Sequence, residues 1–215
     1  MRYTLTDTGG SRSFPKARDI FSHATDDGEV IIILGVNADD SFRKLVQHEK
    51  KIAVLIELGA ECLGVYTGES CGAEGSNVLG FSRFRLGDDE PSNLVELVRQ
   101  PRTSDNAIAA ARQVFESAGL QVAVCGDFAG RIVDRLVRPY YNAALRQLDE
   151  GLATADDMDT TLKLGLGYPE GPIALLERTG LAHHFDVTQA LFEACGESAY
   201  APARRAHVAK QRQKS

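Results

Sequence analysis

The sequence predicts an α/β domain followed by an all-α domain, and two patterns carry this prediction. Up to about residue 125, short aliphatic runs alternate with stretches of helical periodicity, which is typical of a parallel sheet covered by helices. After Gly130, apolar residues recur at three- and four-residue steps, as in packed amphipathic helices. We therefore predict an α/β domain over residues 1–126, a helical domain over 127–208 and a basic tail over 209–215.

Four aliphatic runs are interpreted as strands: 30–34, a part of 52–58, about 78–81, and 120–125. The first two are continuous and suit strands that are buried on both faces of a sheet. A short helix is expected between them, around residues 42–46. Before the fourth strand, Ser104 offers a helix cap, and Gly119 ends the apolar stripe that follows. Because strand and helix alternate, a parallel sheet is expected.

The helical part begins with an apolar stripe that starts at Ile132 and predicts a helix of about six turns. Pro139 lies inside the stripe, so either this helix kinks or a new helix begins there. Thr154 is placed to cap a second helix, and a turn-rich loop follows at 165–172. Pro172 suits the first turn of a third helix.

Composition narrows the class of protein. The chain has 215 residues, 43% hydrophobic and 25% charged, as in an ordinary globular protein. A net charge of −6 argues against general nucleic-acid binding, and no apolar run is long enough to span a membrane. The four cysteines have no metal or redox spacing, so we expect free thiols and a cytoplasmic location. His183 and His184 lack a partner at ligand spacing, so no metal is expected.

Two motifs in the helical part resemble the C-terminal helical domain of 3-hydroxyacyl-CoA dehydrogenases. The first motif comprises Asp127, Gly130, Ile132, Val133, Asp134, Arg135 and Leu136. The second comprises Asp159, Thr160, Leu164, Gly165, Tyr168, Pro169, Gly171 and Pro172. The chain is most similar to the second half of long bacterial 3-hydroxyacyl-CoA and 3-hydroxyadipyl-CoA dehydrogenases. This resemblance implies a shortened Rossmann-like parallel sheet followed by the helical domain.

The resemblance also assigns catalytic positions, and this chain departs from the family at three of them. A family serine maps roughly onto Ile56 to Leu58, where no hydroxyl is available. Ser82 stands where the family has the histidine that takes the hydroxyl proton, and a serine hydroxyl is no base near neutral pH. Glu96 keeps the place of the glutamate that orients that histidine, although it reads equally well as a helix-edge or surface carboxylate. Asp134 replaces the family's asparagine. We expect Asp134 to favour a helix start, where it accepts from exposed amides.

The family binds NAD, but the sequence of this chain offers no cofactor site of its own. A dinucleotide fold needs Gly-x-Gly-x-x-Gly between a strand and a helix, so that backbone amides can approach the pyrophosphate. The glycine pair Gly9-Gly10 has no aliphatic strand before it, and Gly35 has no second glycine after it. We therefore expect no cofactor for this chain alone.

Two further segments keep two interpretations each. Tyr168, Pro169 and Gly171 lie in a loop that is similar to one near the substrate cleft of the family, although turn formation alone explains its composition. The C-terminal end carries Arg204, Arg205, Lys210, Arg212 and Lys214 with no acid. We expect that end to be frayed and solvated; the alternative is contact with the phosphates of a CoA ligand or with an acidic partner.

Three functional hypotheses follow. The first is a non-catalytic or accessory part of a 3-hydroxyacyl-CoA dehydrogenase in fatty-acid or phenylacetate-type degradation, which forms a homodimer or binds a complete dehydrogenase chain. The second is an independently active NAD-dependent dehydrogenase. The third is a module that binds a CoA ester, such as an acyl-CoA, or is purely structural.

Overall fold

The computed structural model describes residues 1–17, 21–68 and 77–213. It divides into two compact units. The first unit comprises Met1–Arg85 and Pro91–Ile132, and the second comprises Leu86–Glu90 and Val133–Ser215. Cys62, Cys125 and Cys195 are free thiols, as predicted, and Cys71 lies outside the described residues.

The first unit is built on a sheet whose described strands follow one another across it in chain order. The strands are β1 Tyr3–Asp7, β2 Val30–Leu34, β3 Ala53–Glu57, β4 Val78–Arg83, β5 Leu94–Arg99 and β6 Gln121–Gly126. Neighbouring strands are parallel except β4 and β5, which are antiparallel. The predicted parallel sheet is thus confirmed with one exception. Sequence reasoning missed β1 and β5, because polar residues interrupt their aliphatic pattern.

Helices cover both faces of this sheet. They are α1 Ala38–Arg43, α2 Gly64–Thr67 and α3 Asp105–Ser117, with a short 3₁₀ helix at His48–Lys50. Apolar side chains of α3 pack on one face against β1 to β6, and Phe42, Leu45 and Tyr66 pack on the other face. Ser104 caps α3 by accepting from the Ala107 amide at 3.2 Å, which confirms the predicted cap. The short helix predicted around 42–46 lies earlier in the chain, and Val46 is exposed.

The regular elements of the second unit, among its described residues, are all helices. The helices are α4 Val133–Asp149, α5 Ala155–Leu166, α6 Pro172–Thr179, α7 Leu181–Cys195 and α8 Arg204–Gln213, with a 3₁₀ turn at Ser198–Tyr200. Thr154 caps α5 by accepting from the Asp157 amide, and Pro172 occupies the first turn of α6, as predicted. None of the described helices is long and apolar enough to cross a membrane.

Pro139 lies inside α4, and no new helix begins there. A proline at this position leaves the carbonyl of Arg135, four residues earlier, without its usual amide donor. The Tyr200 hydroxyl donates to that carbonyl at 3.4 Å. A side chain from a later turn therefore replaces the missing backbone hydrogen bond. The predicted stripe of α4 also differs at Leu136, which is 70% exposed.

The basic C-terminal segment forms a regular helix, so the predicted frayed end is wrong for residues 204–213. Arg205 pairs with Asp149, and Lys210 pairs with Asp186 at 2.7 Å. Helix α8 also contributes Ala206 to the core of the second unit. These contacts anchor one face of the helix, which the charge pattern alone does not show.

A buried polar chain crosses the core of the second unit. Arg138 Nη1 lies 3.1 Å from His184 Nδ1. Because a guanidinium can only donate, Nδ1 accepts, and the ring proton is on Nε2. Nε2 then donates to the Asn142 side-chain oxygen at 2.9 Å, and the Asn142 amide donates to the Ala199 carbonyl. His184 is therefore a structural residue, held neutral in one tautomer.

This arrangement predicts a specific loss of stability in acid. Burial, and then the charge of Arg138, lower the pKa of His184 from 6.5 to about 3. The unfolded chain takes up the proton first, so stability is complete above pH 6.5 and falls toward pH 3, by at most about 1.4 kcal/mol per pH unit. We expect thermal melts of His184→Gln to be less pH-dependent over this range than those of the wild type. Equal slopes for the two proteins would contradict this assignment; His183→Gln serves as the control.

Candidate functional site

The structure brings Ser82 and Glu96 together. They are directly opposite each other in the antiparallel pair β4 and β5, so their side chains lie on the same face of the sheet. Ser82 is 8% exposed and Glu96 is 3% exposed. The interpretation of Glu96 as a helix-edge or surface carboxylate is therefore wrong, because it lies in the middle of a buried strand.

The Glu96 carboxylate is engaged by the segment that follows β6. One oxygen accepts from the Ile132 amide at 2.8 Å, and the other lies 4.0 Å from Arg131 Nε. Arg131 is itself buried, has a left-handed φ of 51°, and donates to the Gly59 carbonyl. Glu96 thus accepts from a turn with left-handed backbone geometry and lies within ion-pair distance of a buried guanidinium.

The Cys125 thiol lies close enough to Glu96 for the charge of that carboxylate to affect its pKa. Burial, and then the charge of Glu96, raise the pKa of the Cys125 thiol to about 11. The thiol stays protonated at neutral pH, and the thiolate is the reactive form. The Ser82 hydroxyl, the Glu96 carboxylate bonded to the Ile132 amide and the protonated Cys125 thiol do not include the imidazole that the resemblance assigns as the proton acceptor.

A cleft of about 560 Å³ lies beside the ends of β5 and β6. Its lining includes Arg99, Asp127 and the exposed ring of Phe128. The Asp127 carboxylate accepts from the Leu63 and Gly64 amides, and from the Gln100 side chain at 3.0 Å. The first residue of the family-like motif therefore caps α2. The cleft has room for a small molecule, but its carboxylate is already bound.

The glycine pair at the N-terminus has a different context from the one predicted. Strand β1 ends at Asp7, directly before Gly9 and Gly10, so the expectation of no strand there is wrong. Both glycines have positive φ. The loop is nevertheless closed against its neighbour, because the Gly9 carbonyl accepts from the Val36 amide, and a Cβ on Gly35 would lie 2.3 Å from that carbonyl.

Glu57 occupies the place where amides from two strand ends converge. Glu57 is the last residue of β3 and is 7% exposed. One oxygen accepts from the Ser13 amide and the other from the Gly35 amide, each at 2.8 Å. Such amides at the ends of parallel strands are the groups that receive a dinucleotide phosphate. Here an internal carboxylate already binds them and would repel a phosphate.

The order of the strands also argues against a dinucleotide site in the first unit. Dinucleotides bind in a crevice at the point where strand order reverses. Across the described strands β1 to β6, the order in the sheet never reverses. The residues of the first unit therefore do not fit NAD: the described loops lack the spaced glycines, Glu57 binds the amides, and the crevice between two halves of a sheet is missing.

Asp134 lies in the first turn of α4, as predicted, but its partner is a side chain. Its carboxylate accepts from Arg138 Nε at 2.7 Å, and the Arg138 side chain is 3% exposed. An asparagine here would remove the negative charge that lies beside that buried guanidinium. The replacement of the family's asparagine by Asp134 therefore has a structural partner in this chain, Arg138.

In the loop after α5, close packing against Asp159 requires glycine at position 171. The Asp159 carboxylate accepts from the Ile173 and Ala174 amides at the start of α6, at 2.9 and 2.8 Å. A Cβ on Gly171 would lie 2.2 Å from the Asp159 side chain, so only glycine fits. Tyr168 is 41% exposed and its ring contacts Tyr140, while Pro169 is exposed at a bend. A role of Tyr168, Pro169 and Gly171 in substrate binding stays a prediction.

Sequence reasoning did not identify Arg131, Glu57 or Arg138. Each is a charged residue among apolar neighbours: Glu57 at a strand end, Arg131 next to Gly130 and Arg138 on the apolar stripe of α4. A charge in such a context is the sequence signal that could have identified them. No group of three metal-ligating side chains occurs in the part of the chain that the structure describes.

Known proteins are similar to this chain in the region that contains the two motifs. Residues 130–214 match the family model for the 3-hydroxyacyl-CoA dehydrogenase C-terminal domain. A 3-hydroxybutyryl-CoA dehydrogenase of Bradyrhizobium diazoefficiens is 37% identical over 109 residues, which is 51% of this chain and 37% of that protein. Human mitochondrial hydroxyacyl-coenzyme A dehydrogenase is 40% identical over 88 residues, 41% of this chain and 28% of that protein. The matches thus span less than two-fifths of these relatives.

Solved structures share the fold. Mycobacterium tuberculosis FadB2 superposes with a TM-score of 0.73 over 93% of this chain and 69% of its own, at 24% identity. The 3-hydroxybutyryl-CoA dehydrogenase of Escherichia coli gives a TM-score of 0.70 over 84% of this chain and 39% of its own, also at 24% identity. These likenesses confirm the predicted Rossmann-like sheet and helical domain.

The Glu57 arrangement gives a prediction that separates fold from cofactor. Glu57→Gln places an amide NH₂ group against one of the two backbone amides, so we expect a loss of about 1–3 kcal/mol in unfolding free energy. Chemical denaturation measures this loss, with exposed Glu116→Gln as the matched control. We expect no saturable NADH binding by fluorescence in either variant or in the wild type. Saturable NADH binding to the wild type would show that the first unit does hold the cofactor.

Proposed function

We propose that this chain, whose residues 130–214 match the family model for the 3-hydroxyacyl-CoA dehydrogenase C-terminal domain, belongs to that family and is a non-catalytic, accessory part of such an enzyme. One observation carries the proposal: Ser82 faces Glu96 across β4 and β5, and Glu96 is bound to the Ile132 amide beside Arg131. By the resemblance, the pair takes the positions of the family's proton-transfer groups, with a serine in place of the histidine that accepts the proton. Its carboxylate now stabilises the link into the helical domain.

Two other functions have less support. Independent NAD-dependent activity requires a phosphate site where Glu57 binds the Ser13 and Gly35 amides. Binding of a CoA ester is favoured by the cleft of about 560 Å³ beside Asp127, and it is compatible with an accessory role. The names of the relatives, which refer to 3-hydroxybutyryl-CoA and hydroxyacyl-coenzyme A, suggest acyl-CoA metabolism as the setting, and a cytoplasmic location stays a prediction.

An accessory role implies a partner, and the second unit presents apolar side chains for one. Leu136 is 70% exposed on α4, one turn before Tyr140, whose ring contacts Tyr168. Leu164 and Leu166, which precede Tyr168, are 82% and 63% exposed. We propose that this apolar surface pairs with a second copy of the chain or with a complete dehydrogenase. An exposed cluster of large apolar side chains is typical of such interfaces.

We expect neither the wild type nor Ser82→His to oxidise 3-hydroxybutyryl-CoA with NAD, because the histidine alone restores no cofactor site. NADH absorbance measures the reaction, with a complete family enzyme as the positive control. Circular dichroism checks that Ser82→His is folded, since position 82 is nearly buried. A turnover of about 1 per second by the wild type would contradict the accessory role.

We expect Leu136→Asp to weaken self-association or partner binding, because a charge would have to be buried in the interface. Light scattering at tens of micromolar protein, alone and with a complete dehydrogenase, gives the measurement. Leu152→Asp is the matched control, since Leu152 is 67% exposed and lies beyond the other end of α4. A wild type that stays monomeric under both conditions would sink the proposed interface. Leu145 is unsuitable for this test, because it is 1% exposed in the core.

A further inference from the structure

A basic depression of about 330 Å³ lies on the second unit, between the first residue of α7 and the outer face of α8. We call it the arginine depression. Its lining consists of Leu181, Arg204, Arg205, Val208, Ala209 and Arg212. The lining combines three arginines with three aliphatic residues, so it differs in character from the proposed apolar interface.

Helical spacing places the key side chains in one row. Arg204, Val208 and Arg212 are four residues apart, so they lie on nearly the same face of α8. The two arginines are separated by two turns, or roughly 12 Å along the axis. Arg204 and Arg212 are exposed, and Val208 between them is 41% exposed. A ligand here would meet a guanidinium at each end and an aliphatic surface in the middle.

The positive charge of the arginine depression is only partly neutralised. Helix α8 holds four cations and no acid. Asp149 pairs with Arg205 and Asp186 pairs with Lys210. Among the described residues, no carboxylate lies within ion-pair distance of Arg204 or Arg212. A protein of net charge −6 therefore keeps two unpaired guanidiniums beside one depression, a local field that attracts an anion.

The chemistry of the lining selects the class of anion. Guanidinium groups bind phosphate oxygens in a bidentate manner and are more weakly hydrated than ammonium groups. The aliphatic lining residues Leu181, Val208 and Ala209 offer apolar contact to the rest of the ligand. The volume is that of a small-molecule site and is too small for a folded partner.

We propose that the arginine depression binds a phosphorylated small molecule, with two or more phosphate groups on Arg204, Arg205 and Arg212 and a less polar part on Leu181 and Val208. This site lies wholly within the second unit. It is independent of the Ser82 and Glu96 pair, so it stands whether or not the chain catalyses a reaction.

Isothermal titration of the full chain with ADP tests the proposal, and adenosine serves as the probe without phosphates. We expect ADP to bind in the millimolar range or tighter, adenosine not to bind, and the ADP affinity to fall as salt screens the guanidiniums. Equal binding of ADP and adenosine, or no binding of ADP, would overturn the proposal.

The double variant Arg204→Gln/Arg212→Gln locates the site. Glutamine has nearly the helix propensity of arginine, so α8 should persist, which circular dichroism checks. We expect ADP affinity to fall at least about tenfold, the equivalent of 1.4 kcal/mol. Lys163→Gln is the matched control, because it removes an exposed cation of the same unit outside the depression. If both variants bind ADP like the wild type, the assignment to the arginine depression is wrong.

Two further titrations distinguish the source of the phosphates. Acetyl-CoA that competes with ADP and binds more tightly identifies a coenzyme A ester as the ligand class, whereas weaker competition favours a free nucleotide. Both outcomes support the site. Anionic vesicles that bind the chain through α8, and whose binding ADP does not displace, would show that α8 contacts a membrane and would overturn the small-molecule assignment.

Discussion

The structure depends on carboxylates that accept hydrogen bonds from backbone amides in loops, in turns and in the first turns of helices, where no backbone carbonyl is the usual partner. Buried amides need an acceptor, and a carboxylate makes the strongest bonds to them. Glu57 joins the loops after β1 and β2, and Glu96 binds the turn that leads into the second unit. Asp127 caps α2, and Asp159 binds the first amides of α6. In each case one acidic side chain fixes two distant segments of the chain.

Under the proposed accessory function, this use of carboxylates accounts for a first unit that has a Rossmann-like fold without the chemistry of the family. A cofactor-binding loop must leave amides free for phosphate, and a catalytic glutamate must leave an oxygen free for histidine. Glu57 and Glu96 instead satisfy protein amides. Both oxygens of Glu57 and one oxygen of Glu96 are used in this way. Under the proposed function, these contacts stabilise the fold in place of binding a cofactor or orienting a histidine. The same residues cannot serve both purposes in one state.

In the second unit too, side chains satisfy the polar groups of the interior. The side chains that are available for binding lie on the surface. Tyr200 replaces the donor that Pro139 lacks, and His184 is held neutral between Arg138 and Asn142. With these polar groups bound inside, the groups that remain for partners lie on the outside. Exposed leucines on α4 and α5 and the arginines of α8 form two surfaces of opposite character, one suited to a protein and one to an anion.

The sequence by itself determined the elements whose signals are local. Thr154 and Pro172 fix helix starts through hydrogen bonds and dihedral angles within a few residues, so caps, helices and the family-like motifs were predictable. Tertiary structure alone decided the pairings between distant segments. Strand β1 is too short and polar to be recognised without its partner β2, and Glu96 is buried because β5 lies between β4 and β6. The role of Glu57 likewise depends on amides that are 22 and 44 residues away in sequence. Local sequence patterns carry no information about such distant contacts. These contacts engage Glu57 and Glu96 in the region where the family's site was expected.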